Sequence, residues 1–322
     1  MSAEWLYENG IGEARAALIG DGCIVEARIE PDDLSPRVGA VLDAVLAETG
    51  RHPKVKLPDG GEAMLGAVPT GLSIGRPIRV EITREALNEG NRTKLPRAMP
   101  AAPDATPGPG PGLLERISTY GLPVRHCRAH ETDWLEAAGW SEILDEAWTG
   151  DITFPGGVLR MAMTPAMTLF DVDGDGAPEP LAESAARAVG QALRRHDIGG
   201  SIGVDFPTLG GKAPRHAVAL ALDSALPQPF ERTAVNGFGF LQVIRPRPRA
   251  SLPEILRRAP VAAAARALLR RWEREPPPGP ATRPAETPIA QWLAAKRPDL
   301  IAELHRRTGN STPITDIGRS KE

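Results

Sequence analysis

Asp171, Asp173 and Asp175 stand at alternate positions directly after a mostly apolar approach, residues 158–168, and glycines follow at 174 and 176. An apolar run that ends abruptly in alternating acids is the pattern of a buried strand delivering carboxylates to the edge of a sheet. Alternation puts Asp171 and Asp173 on one face, where both can share a cation. Asp205 ends a second such run near residues 201–206. Between the two runs Leu181, Ala185, Ala188, Val189, Ala192 and Leu193 recur at helical spacing, and the helix is expected to give way at Asp197-Ile198-Gly199-Gly200. Strand, helix, strand predicts a βαβ unit with parallel strands and a right-handed crossover. On neighbouring strands, about 5 Å apart, Asp171 and Asp205 both lie at carboxyl ends, where open α/β sheets place their ligands. A set of oxygen donors suits Mg²⁺ or Mn²⁺ better than zinc.

The elements that must position these acids are legible around them. Residues 3–30 read as strands turning at Asn9-Gly10 and Asp21-Gly22, the second a hairpin signal. Short strands at 41–46, 54–57, 62–68 and 77–83, with turns such as Asp59-Gly60-Gly61, suit a small barrel of the OB type. Residues 96–112 are rich in proline and read as a linker. A helix, a strand around Val124 and another helix follow, then a hairpin over residues 152–163 around Pro155-Gly156-Gly157. After Asp205 a helix is expected over 213–226, strands over 233–236 and 238–244, and one basic helix running to about residue 275. Residues 276–288 read as a second linker and 289–308 as a helical tail.

A chain of 322 residues holds two or three domains. Its net charge of -3 conceals an uneven distribution: residues 1–35 carry eight acids against Arg15 and Arg28, whereas residues 245–275 carry nine arginines against three glutamates. The basic stretch fits either a polyanion partner or a solvated helix face. With Cys23 and Cys127 alone, neither a disulfide framework nor a cysteine zinc site is expected. The absence of a membrane-length apolar run and of a signal-peptide pattern makes a cytoplasmic protein without membrane partners the expectation.

Residues 171–176 fit several chemistries. An EF-hand calcium loop matches at its first acids and glycine, but its twelfth position is Ala182 and a strand precedes it. Phe170-Asp171-Val172-Asp173-Gly174 also resembles the first motif of haloacid-dehalogenase-type phosphatases, with Lys212 as the lysine, although Asp175 stands where that motif has threonine. A wider set of blocks gives the most specific likeness. Asp171-Val172-Asp173, the helix, Asp197-Ile198-Gly199-Gly200, Ile202-Gly203-Val204-Asp205-Phe206, and Phe238-Gly239-Phe240-Leu241-Gln242 with Arg245, Ser251 and Leu252 together resemble the catalytic half of the ribonuclease E/G family.

That resemblance implies an α/β protein with RNase H-like and DNase I-like subdomains and an inserted OB-type barrel. It divides the chain into an RNase H-like first part (1–35), the RNA-binding barrel (36–95), the proline-rich linker (96–112), an RNase H-like second part (113–162), a DNase I-like catalytic subdomain (163–258) and C-terminal helices (259–322). It implies a Mg²⁺-dependent endoribonuclease acting on single-stranded RNA. Asp171 and Asp205 would be the metal ligands, Asp173 a third catalytic acid in place of the family's asparagine, and Arg92, Lys94, Arg245, Arg247 and Arg249 RNA contacts. The chain departs from the family in three ways: Val55 and Met64 fall at its aromatic stacking positions, the linker replaces its 5′-monophosphate sensor, and its paired zinc cysteines are absent. These departures leave a homodimer, rather than a zinc-linked tetramer, as the expected assembly, and keep open an RNA-binding protein that does not cut.

Overall fold

The computed structural model describes residues 3–33, 36–89, 92–276 and 279–318. Strands β1 (Glu4–Asn9), β2 (Glu13–Gly20) and β3 (Cys23–Pro31) form an antiparallel meander. Gly20 pairs with Cys23 across a two-residue turn whose Asp21 and Gly22 both take positive φ (50° and 82°), the twist that suits a tight hairpin.

A closed five-stranded barrel follows, built from β4 (Val41–Glu48), β5 (Lys54–Lys56), β6 (Glu62–Leu65) and β7 (Pro77–Arg84), with a ribbon of β8 (Leu87–Glu89) and β9 (Arg92–Lys94) projecting before β10 (Arg97–Pro100). Strand β10 lies within the stretch expected to be linker, and it closes the barrel by pairing with β6 in parallel and β7 antiparallel. Its prolines stand outside or at the end of the strand, so they frame it without interrupting it. Ala98, fully buried, joins Leu46, Val55, Leu65, Val80 and Ile82 in the barrel interior. Val55 therefore points into the barrel, and its position presents no surface for stacking a base; Met64, half-buried, alternates outward opposite Lys54.

Next come α1 (Leu113–Ser118), β11 (Val124–His126), α2 (Trp134–Ala137) and α3 (Trp140–Thr149). Strand β11 joins the first sheet beside β1, in parallel. That sheet is packed on both faces: Trp5, Ala16 and Leu18 meet Leu113 and Ile117 of α1, while Leu6, Ala17 and Ala27 meet Leu135, Trp140 and Ile143 on the other side.

The second large sheet takes β12 (Asp151–Phe154), β13 (Gly157–Met163), β14 (Thr168–Gly174), β15 (Gly200–Asp205), β16 (Glu231–Arg232) and β17 (Phe240–Arg245) in the order β12-β13-β14-β15-β17-β16. The boundary expected after residue 162 thus falls inside this sheet, whose first strand begins at Asp151. Strands β14 and β15 pair in parallel, joined by helix α4 (Pro178–Arg195) as expected. Leu181, Ala185, Val189 and Leu193 of α4 pack on Leu159, Phe170, Ile202, Val204, Leu241 and Val243, and α5 (Lys212–Ala225) lies against α4. On the opposite face of the sheet Arg160, Ala162, Asp171 and Ile244 are exposed and Leu169, Ser201, Phe240 and Gln242 half-buried.

The basic stretch forms two helices, α6 (Leu252–Arg258) and α7 (Pro260–Glu273), broken at Ala259, which the following proline keeps out of the helical region. Strand β18 (Arg283–Ala285), inside the second expected linker, pairs with β19 (Ile314–Asp316) around α8 (Thr287–Lys296) and α9 (Pro298–Thr308). The uneven charge of the sequence resolves here into contacts between the chain's two ends. Arg270 meets Glu13 at 2.8 Å, Arg266 meets Asp33 at 2.9 Å, Arg274 meets Glu8 and Asp133, and Arg297 meets Asp32 at 2.7 Å. Among the described residues, no helix is long and apolar enough to cross a membrane.

Candidate active site

Phe170 and Val172 of β14 turn toward the core under α4, which fixes Asp171 and Asp173 on the open face. Ile202 and Val204 do the same for Asp205 on β15. The parallel register pairs Asp171 directly with Asp205, the last residue of its strand. Two exposed carboxylates therefore stand side by side, about 5 Å apart at the backbone, at the edge where the crossover unit opens to solvent.

The neighbours complete a row across four strands. Asp171 faces Arg160 of β13, and Asp205 faces Phe240 of β17. Arg160 Nη2 donates to Asp173 Oδ2 at 2.9 Å, so the third acid is held by a cation on the same face. Both groups are more than half exposed, and the pair is accordingly weak.

Asp171 and Asp205 offer oxygen donors only, which fits Mg²⁺, an ion commonly held by one or two carboxylates with water and substrate phosphate completing the shell. Among the described residues, no group of three or more His, Cys, Asp or Glu side chains is arranged to hold a metal. Asp173 therefore does not complete a three-acid cluster with Asp171 and Asp205.

The three arginines expected to hold neighbouring phosphates are at the other end of the sheet. Arg245 pairs with Gly200, five residues from Asp205 along β15, a separation of about 16 Å. Its Nη1 donates to Leu193 O at 3.0 Å and Ile198 O at 2.8 Å, clasping the end of α4 to β17; burial pushes its pKa down. Arg247 is paired with Glu254, which also closes the capping box of α6 on Ser251. Arg249 lies 3.5 Å from Asp197. Burial opposes ionisation of Asp197, but Arg28, Arg249 and Arg245 outweigh it and hold that carboxyl below its usual range.

Lys94 is exposed on the ribbon, opposite Leu87, and the side chain of Arg92 lies outside the described residues. The base of this ribbon meets the arginine-rich loop, Glu85 N donating to Pro248 O at 2.8 Å.

Of the histidines, His196 is fully buried at the end of α4, with Nε2 3.0 Å from Glu146 Oε2.

The sequence singles out neither Arg160 nor the place of Phe240 beside Asp205. Arg160 alternates with the buried Leu159 and Met161 in a strand that precedes the acids, which is a readable sign that it shares their face. Nothing in the sequence alone sets the register that puts Phe240 opposite Asp205. A scan against protein-family models finds no match for this chain, and no curated protein matches it.

Proposed function

We propose that this chain is a divalent-metal-dependent endoribonuclease acting on single-stranded RNA, with Asp171 and Asp205 as the metal ligands. The observation that carries the reading is their pairing in register at the open edge of the β14-α4-β15 unit. A divalent ion there would supply a Lewis acid for the phosphodiester and an acidified water. Asp171 and Asp205 would hold it from adjacent strands, and Asp173, fixed by Arg160, would orient the water. The mixed sheet with its α4 cover supports a DNase I-like reading of this part, and the β11-β1-β2-β3 sheet supports an RNase H-like one. The closed barrel between them is the element suited to an OB-type RNA contact. On this reading the protein works in the cytoplasm on ribosomal or messenger RNA, as a homodimer, with Mn²⁺ able to replace Mg²⁺.

The test is incubation of a labelled single-stranded RNA with the protein, with and without Mg²⁺. Internal cuts that require the ion support the reading. A second reading, an RNA-binding protein that does not cut, draws on the engagement of Asp173 by Arg160; tight binding without cuts would favour it. A phosphatase reading has less behind it, since in this sheet β14 pairs antiparallel with β13 on its other side.

A further inference from the structure

Gly203 of β15 lies on the open face between Leu169 of β14 and Gln242 of β17. A Cβ built there would stand 2.6 Å from Phe240 Cζ, 3.0 Å from Cε2 and 2.8 Å from Leu169 Cδ2. The Phe240 ring therefore lies down against the bare backbone of Gly203, and any larger residue would lift it. Phe240 is half-buried, with its ring edge against Gly203. Its backbone partner is Asp205, whose partner on the other side is Asp171.

We propose that Phe240, seated on Gly203, is the stacking platform for an unpaired base of the nucleotide beside the scissile phosphate, and so sets where the strand is cut. The proposal rests on the endoribonuclease reading of the acids. An aromatic face exposed on a sheet is the surface on which single-stranded nucleic acids stack, and the contact tolerates any base because every base has a π-face. The charges of the row fit the same ligand. Arg160 stands at one end for a backbone phosphate, the two carboxylates take their ion in the middle, and the neutral ring at the other end receives a base. The row spans three strand spacings, about 14 Å, so the nucleotide chain runs across the strands. A duplex does not fit, because its bases are stacked on one another and have no free face to offer.

The experiment is a cycle between protein and substrate, read as kcat/KM for cleavage of a single-stranded RNA decamer in Mg²⁺. The protein is wild type, Phe240→Leu or Phe240→Trp, and the RNA is intact or carries an abasic residue at each position in turn. Phe240→Leu is expected to cut intact RNA about 5- to 150-fold less efficiently, and Phe240→Trp to restore the rate. One abasic position beside the cut should slow the wild type by a similar factor and leave Phe240→Leu unaffected. Cleavage by Phe240→Leu at the wild-type rate, or losses that multiply at every abasic position, would overturn the platform while the nuclease reading stands. A wild-type protein that cuts no RNA would overturn both.

Discussion

Asp171 and Asp205 belong to strands separated in sequence by a whole helix, yet they are direct cross-strand partners. The crossover through α4 makes the pairing: its apolar stripe buries Phe170, Ile202 and Val204 beneath it, with Val172 half-buried beside them, and leaves both acids on the opposite face. The two acids of the proposed site thus rest on one βαβ unit.

Arg160 is predicted to contact substrate phosphate. Arg160→Gln should weaken RNA binding and lower the slope of log K against log salt by about one. A filter-binding titration over a range of salt concentrations checks this, and circular dichroism should show the fold unchanged, since the residue is exposed.

Arg245 is predicted to act through the fold. It satisfies two backbone carbonyls at the end of α4, so Arg245→Met should cost roughly 1–3 kcal/mol of stability in a urea melt. RNA affinity should stay at the wild-type value in buffer without denaturant.

Much of this was legible from residue pattern: the meander with its Asp21-Gly22 turn, four of the barrel strands, the βαβ unit and the two acids. What was not legible depended on partners distant in sequence. Strand β10 is four residues among prolines, and only its place between β6 and β7 makes it part of a barrel. The arginines of residues 245–275 resemble a polyanion surface in one dimension, but the fold brings three of the nine, Arg266, Arg270 and Arg274, to acids of residues 1–35. Val55 takes its inward direction from the barrel's register.

His196 predicts a loss of stability on mild acidification. Burial pushes its imidazole below the usual value; the hydrogen bond with Glu146 opposes this, and Arg195 and Arg28 add to it. Its Nδ1 is buried without a hydrogen-bond partner, so protonation there places a cation among arginines. A depressed histidine leaves the unfolded chain binding more protons, so this contribution is complete above about pH 6.5 and is lost as pH falls below it. The expected slope is at most about 1.4 kcal/mol per pH unit. His196→Gln should flatten the dependence of urea-melt stability on pH between about 6.5 and 5, above the range in which the carboxylates protonate.

The most direct test of the central claim is a double-mutant cycle on Mg²⁺-dependent cleavage of single-stranded RNA, with wild type, Asp171→Asn, Asp205→Asn and the double variant. Two carboxylates that share one ion act as a unit, and such losses are strongly non-additive. Each single variant is therefore predicted to lose at least about a hundredfold in rate, the equivalent of about 2.7 kcal/mol, and the double variant to lose no more than either. Losses that multiply, or a single variant that cuts at the wild-type rate, would contradict a shared metal site at Asp171 and Asp205.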